Sequence, residues 1–190
     1  MRSGSTARHY IATTDPPLHV IALARYDVEA VRSAILELKS GARRDVVVAT
    51  AEAMSRALRR SRCTVCCAPP DVVTWVPASR RRLRRTGVDA TQLVAERVGR
   101  ELCVPVRALL RRCDSHRQST LDRRARCAGP DVRASPRARG RSVLLVDDVT
   151  TTGATLRRCC DALRLVGDAR HVRAIVAAWT PRPDAIGADG

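Results

Sequence analysis

Val143-Leu144-Leu145-Val146-Asp147-Asp148-Val149-Thr150-Thr151-Thr152-Gly153-Ala154-Thr155-Leu156 runs from an apolar stretch through two adjacent carboxylates into a small, hydroxyl-rich turn with one glycine. Val143 to Val146 is short, continuous and rich in β-branched residues, which predicts a strand buried on both faces, ending at Asp147, as in a parallel sheet. Beyond Gly153 the apolar period changes. Leu156, Cys159 or Cys160, Leu163 and Val166 recur every three to four residues and mark one face of a helix, with Thr152 as its N-cap. A strand that turns through Thr-Thr-Gly into a helix presents backbone N–H groups and the positive helix end to whatever lies above it, most naturally a phosphate. Two carboxylates beside a phosphate repel it unless they have another task. Accepting hydrogen bonds from sugar hydroxyls, or holding Mg2+ through water, are two such tasks. A phosphorylated sugar with vicinal hydroxyls fits both halves. The chain has neither a G-x-x-x-x-G-K run nor a G-x-G-x-x-G after a strand, so ATP-loop and dinucleotide readings fall away.

At 190 residues, 45% of them hydrophobic, the chain is long enough for one good core and is not disordered by composition. Aromatic residues are 2% and Phe is absent, so base stacking has little to work with and the core must be Val, Leu, Ile and Ala. The net charge of +16 is almost wholly arginine, Lys39 being the one lysine. Between Arg80 and Arg141 eighteen arginines face six acidic residues, a net +12 that invites an anion. No run of 18 apolar residues exists and the first 17 residues lack a signal-peptide core, which predicts a cytoplasmic protein without membrane contact. Eight cysteines in that compartment read as reduced, small hydrophobes. Cys63-x-x-Cys66-Cys67 has the spacing of half a zinc site, but no second half follows.

Outward from the central stretch, periodicity predicts helices over Asp27–Lys39 (Val28, Val31, Ile35 and Leu38 inward), Asp45–Arg60 (Val46, Ala49, Ala53 and Ala57 inward) and Asp89–Leu102, the last capped by Asp89. Strands are expected at Val72–Val76, Val104–Leu110 and His171–Ala178, with a basic loop, Ala78 to Gly87, after the first. Residues 1–18 read as a loose N-terminal tail, 19–180 as the domain and 181–190 as a C-terminal tail. The long charged segment 111–141 reads as a functional flap. Strands alternating with helices predict an α/β fold, a parallel sheet flanked by helices, with ligands beyond the strands' carboxyl ends where Ser79–Arg82 and Asp147–Thr155 would meet.

Val143 to Thr155 resembles the phosphoribosyl pyrophosphate (PRPP) motif of the type I phosphoribosyltransferases: four apolar residues, an acidic pair, an apolar residue, then T-T-G-x-T. Within that superfamily the chain is most similar to the ComF-like proteins. Tyr26-Asp27 through Leu38-Lys39-Ser40-Gly41 resembles their Tyr-led helix ending in L-K-x-G, and Val76-Pro77 with Arg82-Leu83-Arg84 and Gly87 resembles their V-P loop and following R-G-F-N-Q segment. Leu110 to Arg112, Ser115, Gln118, Leu121 and Arg126 match their flap pattern. Here the R-G-F-N-Q segment is Thr86-Gly87-Val88-Asp89-Ala90, and no Cys precedes Cys63, which predicts a chain without the N-terminal zinc ribbon of that family.

The resemblance implies transfer of ribose 5-phosphate from PRPP to a nitrogenous acceptor with release of pyrophosphate. Thr151, Thr152, Gly153, Ala154 and Thr155 would hold the 5′-phosphate, and Asp147 and Asp148 the ribose hydroxyls, touching through water a Mg2+ carried by PRPP. Ser79, Arg80 and Arg82 would meet the pyrophosphate, with Asp147, Asp148 and Arg82 as the catalytic set. A flap bearing Arg112, Gln118 and Arg126 would close over the site. No metal is held by the protein alone. Thr151 stands where hypoxanthine-guanine enzymes carry an aspartate near the base, which disfavours a 6-oxopurine acceptor without selecting another. Two alternatives stand beside transfer: a non-catalytic PRPP- or nucleotide-binding regulatory protein, and a ComF-like protein of DNA uptake that associates with nucleic acid. The scarcity of aromatics weighs against the nucleic-acid partner; self-association into a homo-oligomer is left open.

Overall fold

The computed structural model describes residues 7–11, 17–61, 69–113 and 132–180. Among these residues lie the strands β1 (Ala7–Ile11), β2 (Leu18–Arg25), β3 (Val72–Trp75), β4 (Leu110–Arg112), β5 (Val132–Ala134), β6 (Ser142–Thr150) and β7 (His171–Trp179). The α-helices are α1 (Glu29–Gly41), α2 (Arg44–Arg60), α3 (Arg80–Thr86), α4 (Ala90–Leu102) and α5 (Ala154–Asp161). The main sheet runs β1-β2-β7-β6-β3. β2, β7, β6 and β3 pair in parallel, and β1 joins β2 antiparallel. This is the expected α/β architecture, a parallel sheet flanked by helices.

Side-chain alternation along β6 sends Leu144 and Val146 to one face, where they join Val73 and Ile175 under Ile35 and Leu38 of α1, Met54 of α2, and Val94 and Val98 of α4. Val143 and Leu145 face the other side with Val72, Val172 and Ala174, covered by Leu156, Cys159 and Leu163 and by Leu109, Leu110 and Ala138. Both faces of β6 are therefore dry, as its unbroken apolar run requires. Leu144 and Leu145 are fully buried, and each contributes on the order of 2 kcal/mol of apolar transfer.

Several expectations are corrected. Residues 1–18, read as a loose tail, carry β1, and β2 opens at Leu18, an element the sequence reading passed over. Val104–Leu110 is not a strand: Pro105 interrupts it, Val106 makes a single parallel bridge to Val73, and only Leu110 goes on into β4. β4 pairs with β5 in a separate two-stranded ribbon, so the ends of the expected flap are ordered against the core. The basic loop after β3 contains a helix, α3, capped by Ser79. In α2 the buried stripe is Val47, Ala51, Met54, Ser55 and Ala57, with Ala49 exposed. β6 runs on past Asp147 to Thr150 because its ladder with β7 continues through Val149 and Thr150. Past α5 the chain widens into a π-helical turn, Ala162–Val166, closed by Gly167 N–H donating to the Ala162 carbonyl at 2.9 Å. That extra residue per turn rotates Val166 out of the apolar face into solvent. No helix among the described residues is long and apolar enough to cross a membrane. The tail 181–190 lies outside the described residues.

Candidate active site

Register brings the two diagnostic loops together. Trp75 of β3 stands opposite Val146 of β6, and the Val76 N–H donates to the Val146 carbonyl at 2.9 Å. The chain leaving β3 through Val76-Pro77 therefore passes beside Asp147 and Asp148, beyond the carboxyl end of β3.

The two carboxylates are each 7% exposed. Asp147 Oδ1 accepts the backbone N–H of Asp148 at 2.8 Å, and Asp148 Oδ1 accepts that of Val149 at 2.7 Å. Burial, and then the neighbouring charge of Asp148, push the Asp147 carboxyl well above the usual carboxylate range, against the smaller pull of the Asp148 N–H and Lys39. Asp148 is held otherwise. Its Oδ2 takes a guanidinium N–H of Arg82 at 3.1 Å and lies 3.6 Å from the Lys39 ammonium. Leu38, Thr50, Met54, Thr91 and Val94 pack against the pair with no space left for a water molecule.

Arg82 reaches Asp148 because α3 is fixed at both ends. Ser79, with extended backbone, accepts the Arg82 N–H at 3.3 Å, and the Gly87 N–H donates to the Leu83 carbonyl at 2.8 Å from a left-handed φ of 72°. Asp89 braces the whole segment: Oδ2 accepts the Ala78 N–H at 3.0 Å, while Oδ1 caps α4 through the N–H groups of Thr91 and Gln92 at 3.1 and 3.3 Å. Asp89 stands at the Asn of the R-G-F-N-Q pattern, and its acceptor oxygens supply the cap that an Asn would. Arg80 is exposed at the first position of α3.

The β6–α5 turn is built as its glycine demands. Gly153 is the cap residue with φ 72°, a conformation open to glycine at no steric cost. Thr152, expected as the N-cap, instead accepts the Ala154 N–H through its hydroxyl at 3.3 Å. Thr151 and Thr152 are exposed, Ala154 and Thr155 half-buried at the helix entrance.

On the other face Arg112 of β4 donates to the Pro77 carbonyl at 3.5 Å. Burial and the charge of Asp147 push the Cys159 thiol up, and the Arg112 charge opposes them. Burial also raises Cys160, to about 11, which leaves both thiols structural and unreactive. Thus the fold gathers Asp147, Asp148, Arg82, Ser79 and Arg112 around the end of β3. Gln118 and Arg126 of the expected flap, and Cys63 and Cys66, lie outside the described residues.

Two participants escaped the sequence reading. Lys39 reads as a helix-ending charge, and Asp89 as an ordinary cap; only tertiary contact shows the first at Asp148 and the second on Ala78. The clue to Lys39 was its being the one lysine among 35 basic residues.

The acidic pair does not fit a directly bound divalent metal. Among the described residues no group of three or more His, Cys, Asp or Glu is placed to hold one. The outer oxygen of Asp148 already carries two cations, which would repel a third.

The chain belongs to the phosphoribosyl transferase domain family, whose model matches residues 80–184. The parallel sheet with its flanking helices is accordingly of the type I phosphoribosyltransferase kind. Solved structures similar to it include a glutamine PRPP amidotransferase from B. subtilis complexed with ADP and GMP (21% identity, 69% of this chain, TM-score 0.48). Others are a purine phosphoribosyltransferase from Pyrococcus horikoshii (17% identity, 85% of this chain and 79% of that one, TM-score 0.41) and an adenine phosphoribosyltransferase from Thermoanaerobacter pseudethanolicus (13%, 93% and 95%, 0.45). The matched part spans only 26% of the amidotransferase. Comparison with curated proteins gives no match.

Proposed function

We propose that this chain, ComF-like within its family, binds PRPP and transfers its ribose 5-phosphate to a nitrogenous acceptor. The C1–O bond to pyrophosphate breaks, a C1–N bond forms, and the acceptor nitrogen loses a proton. One observation carries this: a left-handed Gly153 opening a helix at one end of a buried acidic pair, and Arg82 from α3 at the other. The first suits the 5′-phosphate, the second the charge growing on the leaving pyrophosphate. Between them, carboxylate oxygens suit the ribose 2′- and 3′-hydroxyls. Any Mg2+ that accompanies PRPP would ride on the diphosphate and not on the acidic pair; the residues of this chain bind and orient the sugar and phosphates.

Calorimetry with PRPP on the wild type and on the double variant Asp147→Asn with Asp148→Asn tests the site. Binding is expected in the first, with a loss of about 100-fold or more in the second; equal affinity in both would sink the assignment. A second reading, binding without turnover, is favoured by the engagement of Arg82 with Asp148 at 3.1 Å. Pyrophosphate release across a panel of bases and amines separates the two: release with any acceptor supports transfer, and silence with binding intact supports a sensor.

A further inference from the structure

Lys39 ends α1 with its ammonium 3.6 Å from Asp148 Oδ2, on the same oxygen that takes Arg82 at 3.1 Å. Its side chain is 32% exposed and that of Arg82 is 22% exposed, whereas Asp148 is enclosed. One carboxylate oxygen thus faces two cations at the place where a divalent ion on a diphosphate would otherwise meet the acidic pair. Arg81, Arg84 and Arg85 are exposed along α3 beyond it and add to the field an anion meets.

The choice of residue is informative as well. In a chain whose other 34 basic side chains are arginine by subtraction from its total of 35, the one lysine stands at this carboxylate. An ammonium on a flexible four-carbon stem is a compact point charge with three rotatable donors, able to pass from Asp148 to a phosphate oxygen without matching a planar fork. Arg82 beside it supplies the fork.

We propose that Lys39, together with Arg82, takes the place of a divalent metal at Asp148, so that this site binds the diphosphate end of PRPP without Mg2+. The proposal rests on the PRPP-binding reading above. Lys39 is then a specificity-determining residue that touches the ligand, and the acidic pair serves the ribose alone. Asp148 keeps the two cations aimed at the ligand in its absence, and hydroxyls of the ribose replace them on its oxygen when the ligand arrives.

Titration calorimetry of PRPP in excess EDTA and in excess MgCl2 gives the ratio of the two dissociation constants for each protein. The wild-type ratio is expected within about threefold, rising about tenfold in Lys39→Gln and returning towards wild type in Lys39→Arg. A wild-type ratio above about ten, or one that Lys39→Gln leaves unchanged, overturns the proposal while leaving PRPP binding intact. Absence of binding under both conditions overturns the functional reading itself, and this proposal with it. Lys39 is partly exposed at a helix end, and unchanged thermal melting of Lys39→Gln separates a lost cation from a lost fold.

Discussion

The two loops that meet at the acidic pair are held by opposite means. The β6–α5 turn is a backbone device: one left-handed glycine and one threonine hydroxyl set its course, and its hydroxyl side chains remain at the surface. The segment from Val76 to Ala90 is a side-chain device. A single carboxylate, Asp89, ties its start to the next helix, Ser79 caps α3, and Arg82 fastens α3 to Asp148. A site made of backbone is specified by conformation and tolerates little change at one residue. A site made of side chains is specified by several contacts and weakens by degrees.

Gly153→Val tests the first half of that contrast and carries the largest expected effect. A β-branched residue at φ 72° forces the turn to rebuild. PRPP affinity should fall on the order of 100-fold, with a stability loss of about 1–3 kcal/mol. Retention of wild-type affinity by calorimetry would mean that the anion does not sit on this turn.

Asp89→Ala tests the second half. It removes the acceptor for Ala78, Thr91 and Gln92 at once, and cap loss costs about 1–2 kcal/mol. Affinity should fall by only about tenfold, since α3 keeps Ser79 and Gly87. Asp89→Asn should recover most of the melting temperature, because an amide oxygen still accepts. If Asn behaves as Ala, the brace depends on charge and not on hydrogen-bond geometry.

The same contrast explains what the sequence disclosed. The backbone device is local, so V-L-L-V-D-D-V-T-T-T-G-A-T-L announced a strand, a turn and a helix, misplacing only the strand end and the cap by a few residues. What sets those limits is the ladder to β7, which pairs Thr150 with Trp179 and is invisible from residues 143–156 alone. The side-chain device is assembled from distant segments. Lys39, Arg82 and Asp148 come from three elements, and nothing in the pattern L-K-S-G says which carboxylate its lysine will meet. β2 went unread for a related reason: His19-Val-Ile-Ala-Leu-Ala24 mixes helix- and strand-favouring apolar residues without turn signals at its C-terminal end, and its strand state comes from pairing with β7.

Within the acidic pair, Asp147→Asn separates burial from ligand contact. The native Asp147 carboxyl titrates well above its ordinary value of 3.8 because of burial and the Asp148 charge. The folded state therefore binds the proton more tightly than the unfolded chain. The stabilisation is full below the unfolded value and is lost as pH rises through the native one. An amide mimics the protonated form, so the variant should match the wild type at low pH and exceed it at neutral pH, flattening that part of the stability profile. Denaturant melts across pH check this; a variant less stable than wild type at neutral pH would mean that the charged form is the one the fold accommodates.

Gly87→Ala has the smallest expected effect and completes the comparison of loops. Gly87 has the same φ, 72°, as Gly153, yet a Cβ built on it meets nothing within 4 Å. The cost is then conformational alone, about 1 kcal/mol for an L-residue in the left-handed region, with no steric term and no contact to the anion. Its N–H still closes α3 onto the Leu83 carbonyl, so Arg82 keeps its place at Asp148. The melting temperature should drop by a few degrees while PRPP affinity stays within about threefold of wild type. A larger loss of affinity would show that the C-terminal end of α3 positions the pyrophosphate contacts as strictly as the glycine turn positions the phosphate, and the distinction between the two loops would collapse.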